Sequence, residues 1–183
     1  SHFKEHAKVL KLTSLKLNKK IIEASNIISS SLLNKGSVFW CGNGGSASDS
    51  MHLSAELIGR FKKNRKPLKS ISLCGDPASL TCISNDFGYE NIFSRQINAL
   101  GKPGDVLVAI STSGKSKNVL KAIKQAKKNK IKVISFLGNN GGECKGKANL
   151  DLVVPSKSTA RIQEMHILAG HILCDLIEKR MKL

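Results

Sequence analysis

Aromatic side chains are scarce in this chain: six Phe, one Trp and one Tyr make up 4% of 183 residues. The core must therefore be built from Ile, Leu, Val and Ala, and surfaces that stack successive nucleic-acid bases on aromatic rings are excluded. Acidic residues are also few, 13 Asp and Glu against 30 Lys and Arg, for a formal charge of +17. The basic residues are mostly lysine, concentrated in Phe61-Lys62-Lys63-Asn64-Arg65-Lys66 and between Lys121 and Lys132. Arginine forks for base edges are missing, so the excess reads as a solvated basic surface that attracts anionic substrates, with no nucleic-acid partner expected. The five cysteines (Cys41, Cys74, Cys82, Cys144, Cys174) are odd in number and lack CxxC spacing. That pattern implies a reducing compartment without structural disulfides. No apolar run reaches membrane-spanning length, and no charged-then-apolar segment opens the chain. A cytoplasmic protein with no membrane partner is the expectation.

What is present begins with Val38-Phe39-Trp40-Cys41, a short apolar run of the buried-strand kind. A loop with three glycines, Gly42-Asn43-Gly44-Gly45-Ser46, follows, and an apolar pattern at helical spacing starts from Ser48 or Asp49. Strand, glycine loop and helix in that order place backbone N–H groups and a helix N-terminus at the carboxyl end of a strand, where α/β proteins bind anions. His52 and Glu56, four apart, share one face of that helix.

Residues 3–34 carry a wide apolar stripe and read as one or two helices, more apolar than a small sheet needs and therefore suited also to an oligomer interface. Ser70 to Cys74 is a second strand. Asp76-Pro77 caps a short helix to about Ser84, Asn85-Asp86-Phe87-Gly88-Tyr89 breaks it, and helix resumes from Glu90 to Leu100. Strands follow at Val106–Ile110, Ile131–Leu137 and Leu150–Val154, with helices at about 118–129 and 160–181. Apolar runs alternating with helices specify a doubly wound parallel sheet with helices on both faces. No linker divides it, so residues 1–183 read as one domain, with 1–35 a leading helical segment and 36–183 the α/β core.

A second loop, Ser111-Thr112-Ser113-Gly114-Lys115-Ser116, also leaves a strand and opens a helix. Four hydroxyls within six positions exceed what capping uses and suit a phosphate. A Walker lysine-serine pair is missing, as is an acidic residue placed for a ribose, which points to a phosphorylated small molecule rather than a nucleotide. The last helix holds Gln163, Glu164, His166 and His171. Gln163 and His171 lie two turns apart, a rise of roughly 12 Å that two long side chains can bridge. His166 reads as a packed core histidine.

Cys41-Gly42-Asn43-Gly44-Gly45-Ser46, His52-x-x-x-Glu56-Leu57-x-Gly59-Arg60, Asn85-Asp86-Phe87-Gly88, Phe93-Ser94-Arg95-Gln96, Ser111-Thr112-Ser113-Gly114 and Ala160-Arg161-Ile162-Gln163-Glu164-x-His166 through His171 together resemble the sedoheptulose 7-phosphate isomerase (phosphoheptose isomerase) family of the sugar isomerase (SIS) superfamily. The resemblance implies an SIS-type, flavodoxin-like three-layer fold. It also implies a homotetramer with sites at subunit contacts, turning D-sedoheptulose 7-phosphate into D-glycero-D-manno-heptose 7-phosphate, the first step of nucleotide-activated heptose synthesis for lipopolysaccharide or capsule. By position, Ser111, Thr112, Ser113 and Ser116 would hold the phosphate, while Asn43, Gly44, Gly45, Ser46, Asn85, Asp86, Glu56 and Gln163 would meet the sugar. His52, Glu56, Gln163 and His171 match the family's zinc positions, one Zn2+ per subunit. Some members carry an acidic residue where this chain has Ala160. Glu56 is the better base and His171 the better acid for moving a carbonyl between C1 and C2. The alternative within the superfamily is a non-catalytic phosphosugar-binding or protein-binding regulator of the replication-initiator-associating type.

Overall fold

A computed structural model describes residues 1–182. One long helix, α1 (His2–Leu33), leads into β1 (Val38–Cys41) and α2 (Gly45–Ile58). Then come β2 (Ser70–Ser72), α3 (Pro77–Phe87), α4 (Ile92–Leu100), β3 (Val106–Ser111) and α5 (Lys117–Lys128). β4 (Lys132–Gly138), β5 (Leu150–Val154) and α6 (Thr159–Arg180) complete the chain. All strand pairs are parallel and the order is β2-β1-β3-β4-β5. This is the flavodoxin-like arrangement, in which the direction of winding reverses between β1 and β3.

Side chains alternate across each strand and so build two cores. Val38, Trp40, Val108, Ile110, Phe136 and Leu152 pack with α1, α2 and α6. Phe39, Cys41, Leu107, Ala109, Val133 and Leu137 pack on the other face with α4 and α5. The one tryptophan is fully buried, and its indole N–H donates to Ser70 Oγ at 2.8 Å; that hydroxyl in turn donates to Ser54 Oγ at 3.0 Å, which ties β1, β2 and α2 together.

The leading segment, expected as one or two helices, is a single one. The boundaries differ from expectation in three informative places. α2 starts at Gly45 rather than Ser48 or Asp49, because Gly44 takes a φ of +56° and lets the chain enter the helix directly. β2 stops at Ser72, two residues short of Cys74, as the chain leaves the sheet's edge. α3 runs through Asn85 and Asp86 to Phe87 and stops only at Gly88, φ +86°; Tyr89–Asn91 form a single 3-10 turn before α4. Elsewhere Asp76 caps α3 with its carboxylate on the Ala78 N–H at 3.0 Å, and Pro77 occupies the first helical position.

Candidate active site

The two loops singled out from the sequence leave the carboxyl ends of β1 and β3, neighbouring strands on either side of the winding reversal. The first loop is bonded to the opening turn of α5, which the second loop leads into. Asn43 Nδ2 donates to Asn118 Oδ1 at 2.9 Å, and Asn118 Nδ2 donates back to Asn43 Oδ1 at 2.8 Å. Tyr89 Oη adds a third bond, donating to Asn43 Oδ1 at 2.9 Å. Neither Asn118 nor Tyr89 stood out in the sequence, since an amide at the second position of a helix and a lone tyrosine in a turn carry no motif.

The first loop is partly self-satisfied: the N–H groups of Ser46 and Ala47 donate to the Asn43 and Gly44 carbonyls at 3.0 Å each. In the second loop the hydroxyls divide their work. Ser111, buried at 3% exposure, accepts from the Gly114 N–H at 3.1 Å, and exposed Ser113 accepts from the Lys115 N–H at 3.2 Å. Ser116 sits at the N-cap of α5 without a side-chain cap bond; its hydroxyl faces Ser111 Oγ at 3.1 Å. Gly114 has a φ of +65°, and a Cβ there would lie 1.9 Å from the Gly141 carbonyl oxygen. The loop after β3 thus rests directly on the loop after β4, and only glycine fits the contact.

α2 and α6 bring the remaining residues together. They run side by side in the same direction, and a Cβ on Gly170 would lie 2.4 Å from Leu53 Cδ1, so the absence of a side chain there sets their separation. The approach places His171 beside His52, with ring centroids 5.1 Å apart and planes at 74°. His52 Nε2 and Glu56 Oε1 lie 3.1 Å apart, as their spacing of four on one helix allows. Ligand atoms of His52, Glu56 and His171 all lie within 4.8 Å of one another. Two imidazoles and a carboxylate on two rigid helices suit a zinc site that keeps an open position, so the residues fit the metal. Gln163 lies elsewhere on α6: its amide rests against Gly45 at the start of α2, near the glycine loop. Asn85 and Asp86 are exposed on the last turn of α3, joined by a 2.8 Å bond from Asn85 Nδ2 to Asp86 Oδ1. His166 is buried, with Nε2 at 3.0 Å from the Leu137 carbonyl; burial pulls its pKa down to about 4. It takes no part in the cluster.

The fold and the paired loops define a class. Residues 1–138 match the SIS domain family model, and the chain belongs to that family. Within it the likeness is to phosphoheptose isomerases. A phosphoheptose isomerase of Helicobacter pylori strain P12 is 50% identical over 177 residues, covering 97% of this chain and 92% of the relative. The structure of a phosphoheptose isomerase from Francisella tularensis superimposes with a TM-score of 0.95 at 38% identity, covering 98% of this chain and 95% of that one. The corresponding enzyme of Neisseria gonorrhoeae gives a TM-score of 0.91 at 41% identity, covering 97% and 95%.

Proposed function

We infer that this chain is an aldose-ketose isomerase acting on D-sedoheptulose 7-phosphate, yielding D-glycero-D-manno-heptose 7-phosphate for nucleotide-activated heptose. The observation that carries this reading is the convergence of His52, Glu56 and His171 on α2 and α6, in a chain half identical to phosphoheptose isomerases over nearly its full length. The hydroxyls of Ser111, Thr112, Ser113 and Ser116 and the α5 N-terminus receive the phosphate. Asn43, Gly44, Gly45, Ser46, Asn85, Asp86 and Gln163 line the sugar chain. Glu56 takes the proton from C1 of the ketose and returns it to C2, and His171 hands a proton to the carbonyl oxygen and recovers one from the neighbouring hydroxyl. One Glu56 oxygen faces His52 in this structure, which leaves the other for the proton. His52, Glu56 and His171 would hold one Zn2+ per subunit; Gln163, the fourth donor by sequence pattern, would have to turn from its contact with Gly45 to join them. The ion supplies Lewis acidity toward the carbonyl and hydroxyl oxygens.

The wider reading is of a cytoplasmic homotetramer whose residues 1–183 act as one SIS unit, with α1 as the packing element. Exposed apolar side chains on α1 support this, Leu15 at 76% and Phe3 at 89% exposure. So does the apolar groove of about 130 Å³ between α1 and α6, lined by Leu10, Ile21, Leu168 and Ile172. No helix among the described residues is long and apolar enough to cross a membrane.

The test is turnover of sedoheptulose 7-phosphate by wild type, Glu56→Gln and His171→Gln, with melting temperatures and zinc content measured beside it. Each variant should keep its fold and lose about 10²–10⁴-fold in kcat. Normal turnover by folded Glu56→Gln would remove this mechanism, and sugar binding without turnover in the wild type would favour the non-catalytic regulator.

A further inference from the structure

The segment Gly59 to Lys66, a basic connection in the sequence, is strapped along α6. α6 presents His171, Asp175 and Glu178 at spacings of four and three, which share one face. The strap meets all three. Phe61 stacks on the His171 ring at 5.6 Å between centroids and 21° between planes. Lys62 Nζ lies 2.9 Å from Asp175 Oδ1. The Glu178 carboxylate accepts from the backbone N–H groups of Phe61, Lys62 and Lys63, at 3.1 Å each.

Glu178 also receives Arg65 Nε at 2.9 Å, and both side chains are almost wholly buried, at 3% and 1% exposure. The Arg65 fork extends beyond this pair. Nη2 donates to the Glu56 carbonyl and Nη1 to the Leu57 carbonyl, both at 2.9 Å. Those carbonyls belong to the last turn of α2, where the helix itself provides no partner, and a cation there also meets the negative end of the helix dipole. Burial alone would push the Glu178 carboxyl up; the three backbone donors and Arg65 outweigh it and hold it below the usual carboxylate range. A buried ion pair this fully bonded fixes geometry more than it adds stability, and what it fixes here is the end of α2 at Glu56 and Leu57 and the ring that lies on His171.

We propose that the buried Arg65–Glu178 pair and the Phe61 it positions are positioning residues of the isomerase site, holding the Glu56 end of α2 and the His171 ring in register. His171 is clamped between His52 on one side and Phe61 on the other, so its ring plane is set by a residue outside the loops and helices of the reacting site. The proposal rests on the isomerase reading above. Removing Arg65 or Glu178 leaves a buried charge unpaired and threatens the fold, so the decisive variant is Phe61→Leu, with Phe61→Tyr as its conservative partner.

For wild type and both variants, kcat and KM on sedoheptulose 7-phosphate are measured together with melting temperature and calorimetric Zn2+ affinity of the metal-free protein. Phe61→Leu should lose about tenfold in kcat with KM changed less than about twofold, because the ring it frees is needed in the transition state rather than for binding. Its Zn2+ affinity should fall about tenfold, the cost typical of losing a neighbour that orients a ligand. Phe61→Tyr should restore both. Wild-type kcat and Zn2+ affinity in Phe61→Leu, or a fall in melting temperature alone, would overturn the proposal. The wild-type arm reads the isomerase assignment separately: a chain that binds zinc without turnover loses that assignment while the zinc arm still judges Phe61. A wild type that neither binds zinc nor turns over sinks both.

Discussion

His166 shows how far one buried side chain can make the molecule sensitive to acid. Its ring is packed near Phe136, Nε2 meets the Leu137 carbonyl, and Nδ1 is buried without a partner. Burial disfavours the charged form and lowers the pKa from 6.5 to about 4. The folded-state value lies below the unfolded one, so between those limits the unfolded chain binds the extra proton. Stability is therefore complete above about pH 6.5 and declines as pH falls toward 4, by about 3 kcal/mol in all. Urea unfolding of wild type at pH 7.5 and pH 4.5 should show this slope, and His166→Gln, which keeps a donor for the Leu137 carbonyl, should flatten it. An equal slope in both proteins would mean that other groups set the acid limb. Residue identities told much at this scale: a histidine within an apolar helix pattern reads correctly as core. Burial of Ser111 was not legible, because the same Ser-Thr-Ser-Gly string reads as an open loop until the contact between Gly114 and Gly141 is known.

At the level of elements, the pairing of α2 with α6 decides whether a cluster exists at all. Gly170 stands in α6 where a methyl group would meet Leu53, immediately before His171. Gly170→Ala gains about 1 kcal/mol of intrinsic helix propensity, and overpacking against Leu53 costs about 1–3 kcal/mol. The expected result is a modest fall in melting temperature with a larger fall in kcat, since widening the gap moves His171 away from His52 and Glu56. A variant that melts higher and keeps full kcat would show that the helices have room to spare. Strands and helices were legible because apolar runs buried on both faces and 3.6-residue stripes are local signals. The neighbour order β2-β1-β3 is not local, and neither is the strap of Phe61, Lys62 and Arg65 on α6. In the sequence that strap is only part of a lysine-rich connection. Its buried arginine looks like its solvated neighbours because the partner, Glu178, lies 113 residues further on.

For the whole molecule, two features act together: a formal charge of +17 and a leading helix with apolar residues on more than one side. The charge draws in a phosphorylated sugar by a long-range attraction that salt screens. α1 buries Val9, Leu17, Ile21 and Ile28 on its own subunit, yet it also exposes Phe3, Leu10, Leu12, Leu15 and Ile22. Leu12, Leu15 and Ile22 lie at spacings of three and seven and so share a face of the helix, which a solvated helix would fill with polar residues. In the homotetramer proposed above, that face meets other copies. The His52 side chain is 48% exposed on its own subunit, so the proposed site is open on a side that a further copy could cover. Leu15→Glu places a charge on the face without disturbing the buried stripe. Light scattering should then report a smaller species than wild type, and circular dichroism an unchanged helix content. Turnover per chain should fall by at least about tenfold at concentrations where the variant is dissociated, and recover in part when concentration drives reassembly. A dissociated Leu15→Glu with wild-type turnover would separate assembly from activity, and a wild type that runs as a monomer would remove the assembly itself.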